Sequence, residues 1–223
     1  MTVNELYIYV KDLVDRNSTG SNVDVTKWWF VDAYKVNSIK YVNYLLNNRN
    51  DDLLRTIANL KTPAELEKVG TTEKYDEFSF PSDYLNFINI SAILTNDKCK
   101  KGVKTQVMKE IKPENIDLLY SDPYNEPSIK YAETLYNTSG CGVFVYKKGF
   151  RIKNVDLYYY RKPLEIDIEG YTKDDGTDST NINPDLSDSA LIEIGIMIAK
   201  QFSLGGEDYN KIQALTQAQQ IKK

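Results

Sequence analysis

An α+β fold is predicted for this chain: N-terminal helices, an antiparallel β-rich middle, then a C-terminal helix and tail. Three observations predict it. Apolar residues recur at helical spacing in the first third and again from Ala190. From about Glu77 the period drops to two, and Ile, Val, Phe and Tyr become frequent. Turn residues such as Pro81-Ser82-Asp83, Asn96-Asp97 and Lys147-Lys148-Gly149 punctuate that middle region.

The elements follow in order. Thr2 and Glu5 form a capping box, and Val3, Leu6, Val10, Leu13 and Val14 continue a helix to about Asp15. Residues 16–22 read as a loop. Thr26 is the next N-cap, opening a long helix to about Asn47 that permits a break at Val36-Asn37-Ser38. Of Trp28 and Trp29 on that helix, one is expected to be buried and the other to pack at an interface or domain junction. Asp51–Leu60 reads as a third helix. Thr62-Pro63-Ala64-Glu65 reads as the start of a fourth, with proline at its first position.

The β region then offers Phe78 and Phe80, Leu85–Leu94, Val103–Val107, Tyr131–Tyr136, Gly142–Tyr146 and a long strand from Phe150 to Ile168 broken at Pro163. Gly170–Asp185, polar and acidic, reads as a mobile loop. Asp185 or Ser187 caps a final helix that is apolar nearly all round and so must be buried, in its own fold or against a partner. Gly205-Gly206 stops it. Tyr209–Gln220 reads as a weaker, polar helix. The expected organisation is a helical region at 1–76, a β-rich core with its closing helix at 77–203, and a tail or arm at 204–223.

Composition narrows the function. The chain has 223 residues, 41% hydrophobic and 27% charged, enough to bury a core in one domain or two small ones. No apolar run is long enough to cross a bilayer, and MTVNELYIYV lacks the basic and apolar regions of an export signal. Cys99 and Cys141 do not make a disulfide framework, so a reduced compartment is expected. The chain contains no histidine. That removes Ser-His and Cys-His nucleophile pairs, histidine zinc sites and imidazole bases. No phosphate-binding loop or GxGxxG is present. No catalytic group, cofactor or metal ligand is therefore assigned. Asp174-Asp175-Gly176-Thr177-Asp178 lacks the spacing and closing glutamate of a calcium loop and reads as solvated.

Two charged stretches stand out. Lys98–Lys112 holds six lysines and one acid, and Asp156–Asp188 holds nine acids and three bases. The lysine run can be a solvated or edge-protecting face, a subunit contact or, least favoured, a nucleic-acid surface. Head-to-tail assembly needs two different matching patches on one molecule. Pairing of these two patches between neighbouring copies makes Lys98, Lys100, Lys101, Lys104, Asp174, Asp175 and Asp178 interface candidates. Tyr158-Tyr159-Tyr160 reads as a strand with Tyr158 and Tyr160 on one face and Tyr159 opposite, beside Leu157. Tyr158 and Tyr160 are core or interface aromatics before they are a sugar platform, and they join the interface candidates with Arg161 and Lys162.

Four segments carry a resemblance: Phe78–Leu85 (FSFPSDYL), the Ser121–Pro127 loop (SDPYNEP), Val155–Ile168 (VDLYYYRKPLEIDI) and Leu186–Ile196 (LSDSALIEIGI). Together the stretch from Glu77 to Phe202 resembles the head-to-tail connector, adaptor or ring proteins in the neck of tailed bacteriophages, especially crAss-like phages. The resemblance implies a virion structural protein without enzymatic activity. Copies would form a twelve-fold ring between the portal protein and neighbouring neck or tail rings. DNA would pass through the channel without specific binding, and no membrane would be involved. It makes the Arg161-Lys162-Pro163 turn and the Ala190–Phe202 helix architectural. It makes the tail, with Tyr209, Ile212 and Leu215, a candidate contact to the portal or a neighbouring ring. The competing classes are a cytoplasmic β-rich binding module that uses surface tyrosines for glycan or peptide recognition, and a carboxylate-dependent hydrolase.

Overall fold

The computed structural model describes residues 1–16, 24–48, 50–97, 101–140 and 142–204. The fold is α+β, with N-terminal helices, a β-rich middle and a C-terminal helix. It divides into two compact units. One joins Met1–Leu60 to the described part of Lys162–Lys223; the other is Lys61–Arg161.

The helical unit begins with α1, Val3–Arg16. Its capping box closes reciprocally: the Thr2 amide donates to Glu5 Oε2 at 2.8 Å, and the Glu5 amide donates to Thr2 Oγ1 at 3.2 Å. Val3, Leu6, Val10 and Val14 are fully buried along one face. Helix α2, Lys27–Asn48, starts after Thr26 and runs without the break permitted at Val36-Asn37-Ser38. Asn37 and Ser38 are buried yet satisfied, by carbonyls of the same helix and, for Asn37, also by Gln201. Asn37 Nδ2 donates to the Ala33 carbonyl and to Gln201 Oε1, each at 2.8 Å, and Ser38 Oγ donates to the Lys35 carbonyl. The single turn α3, Asp51–Leu54, is capped by Asn50 and tightens into a 3-10 segment, Arg55–Leu60. The expected third helix is therefore one α turn and a 3-10 continuation.

Among the described residues, nine strands and a short helix form the second unit: β1 (Lys61–Glu65), β2 (Glu67–Thr71), β3 (Tyr75–Ser79), β4 (Tyr84–Thr95), β5 (Val103–Lys104), β6 (Val107–Glu110), α4 (Ile116–Ser121), β7 (Glu133–Ser139), β8 (Gly142–Tyr146) and β9 (Arg151–Arg161). One sheet runs β1-β9-β4-β5, antiparallel throughout. The other runs β2-β3-β8-β7-β6, in which β6 lies parallel to β7, so that sheet is mixed. Inward residues from both sheets share one core. Val155, Leu157 and Tyr159 alternate inward from β9, Ile90, Ala92 and Leu94 from β4, and Phe78, Val143 and Val145 from the other sheet. Full burial of a side chain such as Leu157 stabilises by about 1.5–3 kcal/mol.

The segment read as a fourth helix is strand β1. Its Pro63 stands opposite Tyr158 on the end strand of its sheet, where a missing N–H costs no ladder bond on the outer side. Pairing to β9 thus overrides the local helix signal. The register of the other sheet is fixed by a buried carboxylate. Asp76 on β3 is 1% exposed and receives Lys68 at 2.6 Å, Lys147 at 2.5 Å and the Thr71 hydroxyl. Burial alone would raise its pKa; the two ammonium groups and the hydroxyl outweigh that and lower it.

Helix α5, Asp188–Leu204, returns to the helical unit. Ser187 caps it, its Oγ accepting from the Ala190 amide at 3.4 Å, and the Met1 ammonium pairs with Asp188 at 2.6 Å. The all-round apolar surface is buried by its own fold: α5 packs on α1 and α2, and Ala190, Leu191, Ile194, Ile198 and Ala199 are fully buried. The closing helix therefore belongs with the N-terminal helices, and the helical region ends at Leu60. The 76/77 boundary expected from the change of period differs from both observations. A pattern marks the type of an element but not its tertiary partner.

Gly195 lets α5 approach α1 closely. A Cβ there would stand 3.0 Å from two ring carbons of Tyr9 and 3.4 Å from Leu6 Cδ1. Gly195→Leu is expected to destabilise the helical unit by about 1–3 kcal/mol through overpacking, read by urea titration of the helical circular dichroism. Wild-type stability in that variant would show that the contact is slack.

Candidate assembly surface

The acidic segment after β9, expected as a mobile loop, is cross-linked by hydrogen bonds and an ion pair. Its organiser is Asp167, whose side chain is 5% exposed. One carboxylate oxygen accepts from the Ile168 amide at 3.0 Å and the Tyr171 hydroxyl at 2.9 Å. The other accepts from the Thr180 amide at 3.0 Å and pairs with Lys173 at 2.7 Å. Burial alone would raise the Asp167 pKa; the Lys173 ammonium, the two amides and the phenol win and hold it at about 2. The Tyr171 phenol is pushed up to about 12 by burial and by donating to Asp167.

Around this carboxylate the chain doubles back. Tyr171 and Ser179 exchange hydrogen bonds, and Asp167 bridges Ile182 through two backbone bonds. At the tip, Lys173 and Thr177 close a turn in which Asp175 Oδ1 accepts from the amide and hydroxyl of Thr177. Asp174, Asp175 and Asp178 are all exposed. Lys27 Nζ donates to the Glu169 carbonyl at 2.6 Å and ties the segment to α2.

Between this segment and α2 lies a groove of about 460 Å³. Trp28, Asp32 and Lys35 supply the helical wall, at i, i+4 and i+7 of one face. Glu165, Asp167, Asp174, Asp175, Tyr171 and Ile182 line the other side. Lys35 is committed to Glu165 at 2.8 Å, and Lys173 to Asp167. Asp32, Asp174 and Asp175 have no ion-pair partner among the described residues.

Neither tryptophan is buried, contrary to expectation. Trp28 is 50% exposed, and Trp29, 44% exposed, packs edge-on against Phe202 at 4.7 Å. The buried aromatic residues of α2 are Phe30, Tyr34 and Tyr41, because they share the face that α2 turns to its own core.

The lysine-rich candidates fall on the other unit. Lys101, in the turn before β5, and Lys104, on β5, are exposed on an end strand and have no ion-pair partner among the described residues. Lys98 and Lys100 lie outside the described residues, as do Cys99, Cys141, the 17–22 stretch of the expected loop, Gly205-Gly206 and the tail residues Tyr209, Ile212 and Leu215. Tyr158 is 46% exposed, as expected of an outward strand residue. Tyr160 is 7% exposed, with Lys61 Nζ over its ring at 5.7 Å, and cannot serve as a free contact. Tyr159, not Tyr160, belongs to the inter-sheet core, so the alternation of β9 holds and Tyr160 is covered on its outer face, where Lys61 lies over it. Arg161 is half-buried and Lys162 exposed, and each already interacts within the chain.

Of the acidic candidates, Asp174 and Asp175 line the groove and Asp178 does not, while Asp32 and the rest of the helical wall were not expected from the sequence. The signal was present in the spacing of Trp28, Asp32 and Lys35. Among the described residues, no group of three or more His, Cys, Asp or Glu is placed to hold a metal ion, and no helix is long and apolar enough to cross a membrane. No protein-family model matches the chain, and no curated protein matches its sequence.

Proposed function

We propose that this chain is a structural subunit that assembles head-to-tail into a ring in the neck of a tailed phage. The ring would join the portal to the tail and surround the DNA channel. The motif resemblance supports the neck role, the twelve-fold copy number, the portal and neighbouring-ring partners and the location in the virion. One observation carries the assembly itself. A lysine edge and an acid-lined groove, both facing solvent and both with uncompensated charge, lie on different compact units of one chain. Such a molecule carries two unlike, complementary surfaces, which is what a heterologous interface requires. The tyrosine-platform alternative is left with Tyr158 alone of its pair, since Tyr160 is buried.

Sedimentation velocity across a concentration series, alone and with portal, tests this. The expected result is one defined multimer, alone or with portal, that shifts toward monomer in about 1 M salt, where the Debye length falls to roughly 3 Å. Monomer at every concentration, with portal present or absent, would overturn the proposal.

A further inference from the structure

We infer that the groove between α2 and the Asp167-centred segment is the acceptor for a second copy of this chain, taking that copy's Lys101 and Lys104 against Trp28. The inference rests on the head-to-tail reading and names the surfaces that meet.

The groove has both chemical features that a lysine side chain needs. The indole of Trp28 offers an apolar, electron-rich wall, suited to the methylene stem and to the cation above a ring. Three carboxylates, Asp32, Asp174 and Asp175, form no close ion pair among the described residues, although Asp32 lies in the field of Lys35 and Asp175 in that of Lys173. The groove's own lysines are already paired, so five carboxylates against two ammonium groups leave it net negative by three. A volume of about 460 Å³ admits two long side chains but not a folded domain. It therefore acts as the anchoring centre of a wider contact, the usual place for a tryptophan hot spot.

The guest is equally defined. Lys101 and Lys104 stand on either side of Gly102, whose φ is +88 and whose hypothetical Cβ would fall 2.5 Å from Ile93 Cγ2. Glycine therefore fits where a side chain would collide, and both lysines beside it are exposed. Among the described residues β5 is the end strand of its sheet, with no strand on its outer side. Exposed like charges on an end strand discourage edge-to-edge pairing and leave a charge-led contact. Nothing in this arrangement favours nucleic acid as the groove's occupant, because its net negative charge repels phosphate.

Two half-blind chains test the pairing. Lys101→Ala/Lys104→Ala keeps the groove and loses the guest; carrying Trp29→Phe as well, it has Trp28 as its sole tryptophan. Trp28→Ala/Trp29→Phe/Asp174→Asn keeps the guest, loses the acceptor and carries no tryptophan. All changed side chains are exposed. Each chain alone is expected to sediment as a monomer. Mixed, they can form only one interface and should stop at a 1:1 complex. In it, Trp28 emission shifts to the blue and is at least threefold less accessible to acrylamide. If wild type forms multimers but the mixture gives neither complex nor shift, the groove is not the acceptor, and assembly uses other surfaces. If either half-blind chain alone still forms the wild-type multimer, the inference is equally overturned. If wild type itself stays monomeric with and without portal, both this inference and the ring reading fail.

Discussion

Replacing Asp167 with alanine is expected to destabilise the helical unit by about 2–3 kcal/mol. The value is placed below the range for breaking a fully buried ion pair because Lys173 retains access to water. Four donors converge on this carboxylate from both strands of the doubled-back segment, so its loss frees the whole stretch around residues 165–182. Hydrogen exchange should rise first at the amides of Ile168 and Thr180, which lose their acceptor. Unchanged protection there would show that backbone pairing alone holds the segment.

The same residue sets a pH dependence with a definite sign. Its folded pKa, about 2, lies below the ordinary carboxylate value of 3.8. Its contribution is therefore fully present above about pH 4, and it is lost as pH falls toward 2. A shift of that size corresponds to about 2 kcal/mol. Asp167→Asn keeps an acceptor oxygen but not the charge, so its stability should fall less between pH 4 and pH 2 than that of wild type. Parallel pH profiles for the two proteins would remove Asp167 from the account.

Gly142→Ala is expected to cost about 3 kcal/mol or more, the range of a backbone collision rather than a surface change. An added Cβ would stand 2.3 Å from the carbonyl oxygen of Phe78. That oxygen belongs to β3, against which β8 pairs from Gly142 to Tyr146, so relief requires the two strands to move apart. Val143, Val145 and Phe78 all belong to the shared sandwich core, which makes separation expensive. The measurement is urea unfolding followed by near-ultraviolet circular dichroism. A midpoint equal to that of wild type would show that the β3–β8 pairing yields.

Local signals were legible where the structure that realises them is local. The Thr2–Glu5 capping box, the alternation of Val155, Leu157 and Tyr159, and the all-round apolar α5 were each readable. What failed was decided at a distance. Pro63 looked like a helix opener because its partner, Tyr158, lies far along the chain. The parallel pairing of β6 with β7 has no sequence period of its own. The segment after Gly170 looked mobile because its composition is polar; one carboxylate, contributed by a run of alternating apolar and acidic residues, orders it. Of the candidate site, the charges were legible, whereas the Trp28 wall and the burial of Tyr160 depended on packing.

The central claim is that copies of this chain close head-to-tail around a channel. Electron microscopy of the purified protein, at a concentration where sedimentation shows its largest species, tests it most directly. With portal added where the chain alone stays small, the account predicts closed rings of one size, with rotational symmetry and an axial opening wide enough for duplex DNA. Single subunits under both conditions, or dimers related by a two-fold axis that bury identical surfaces, would contradict it.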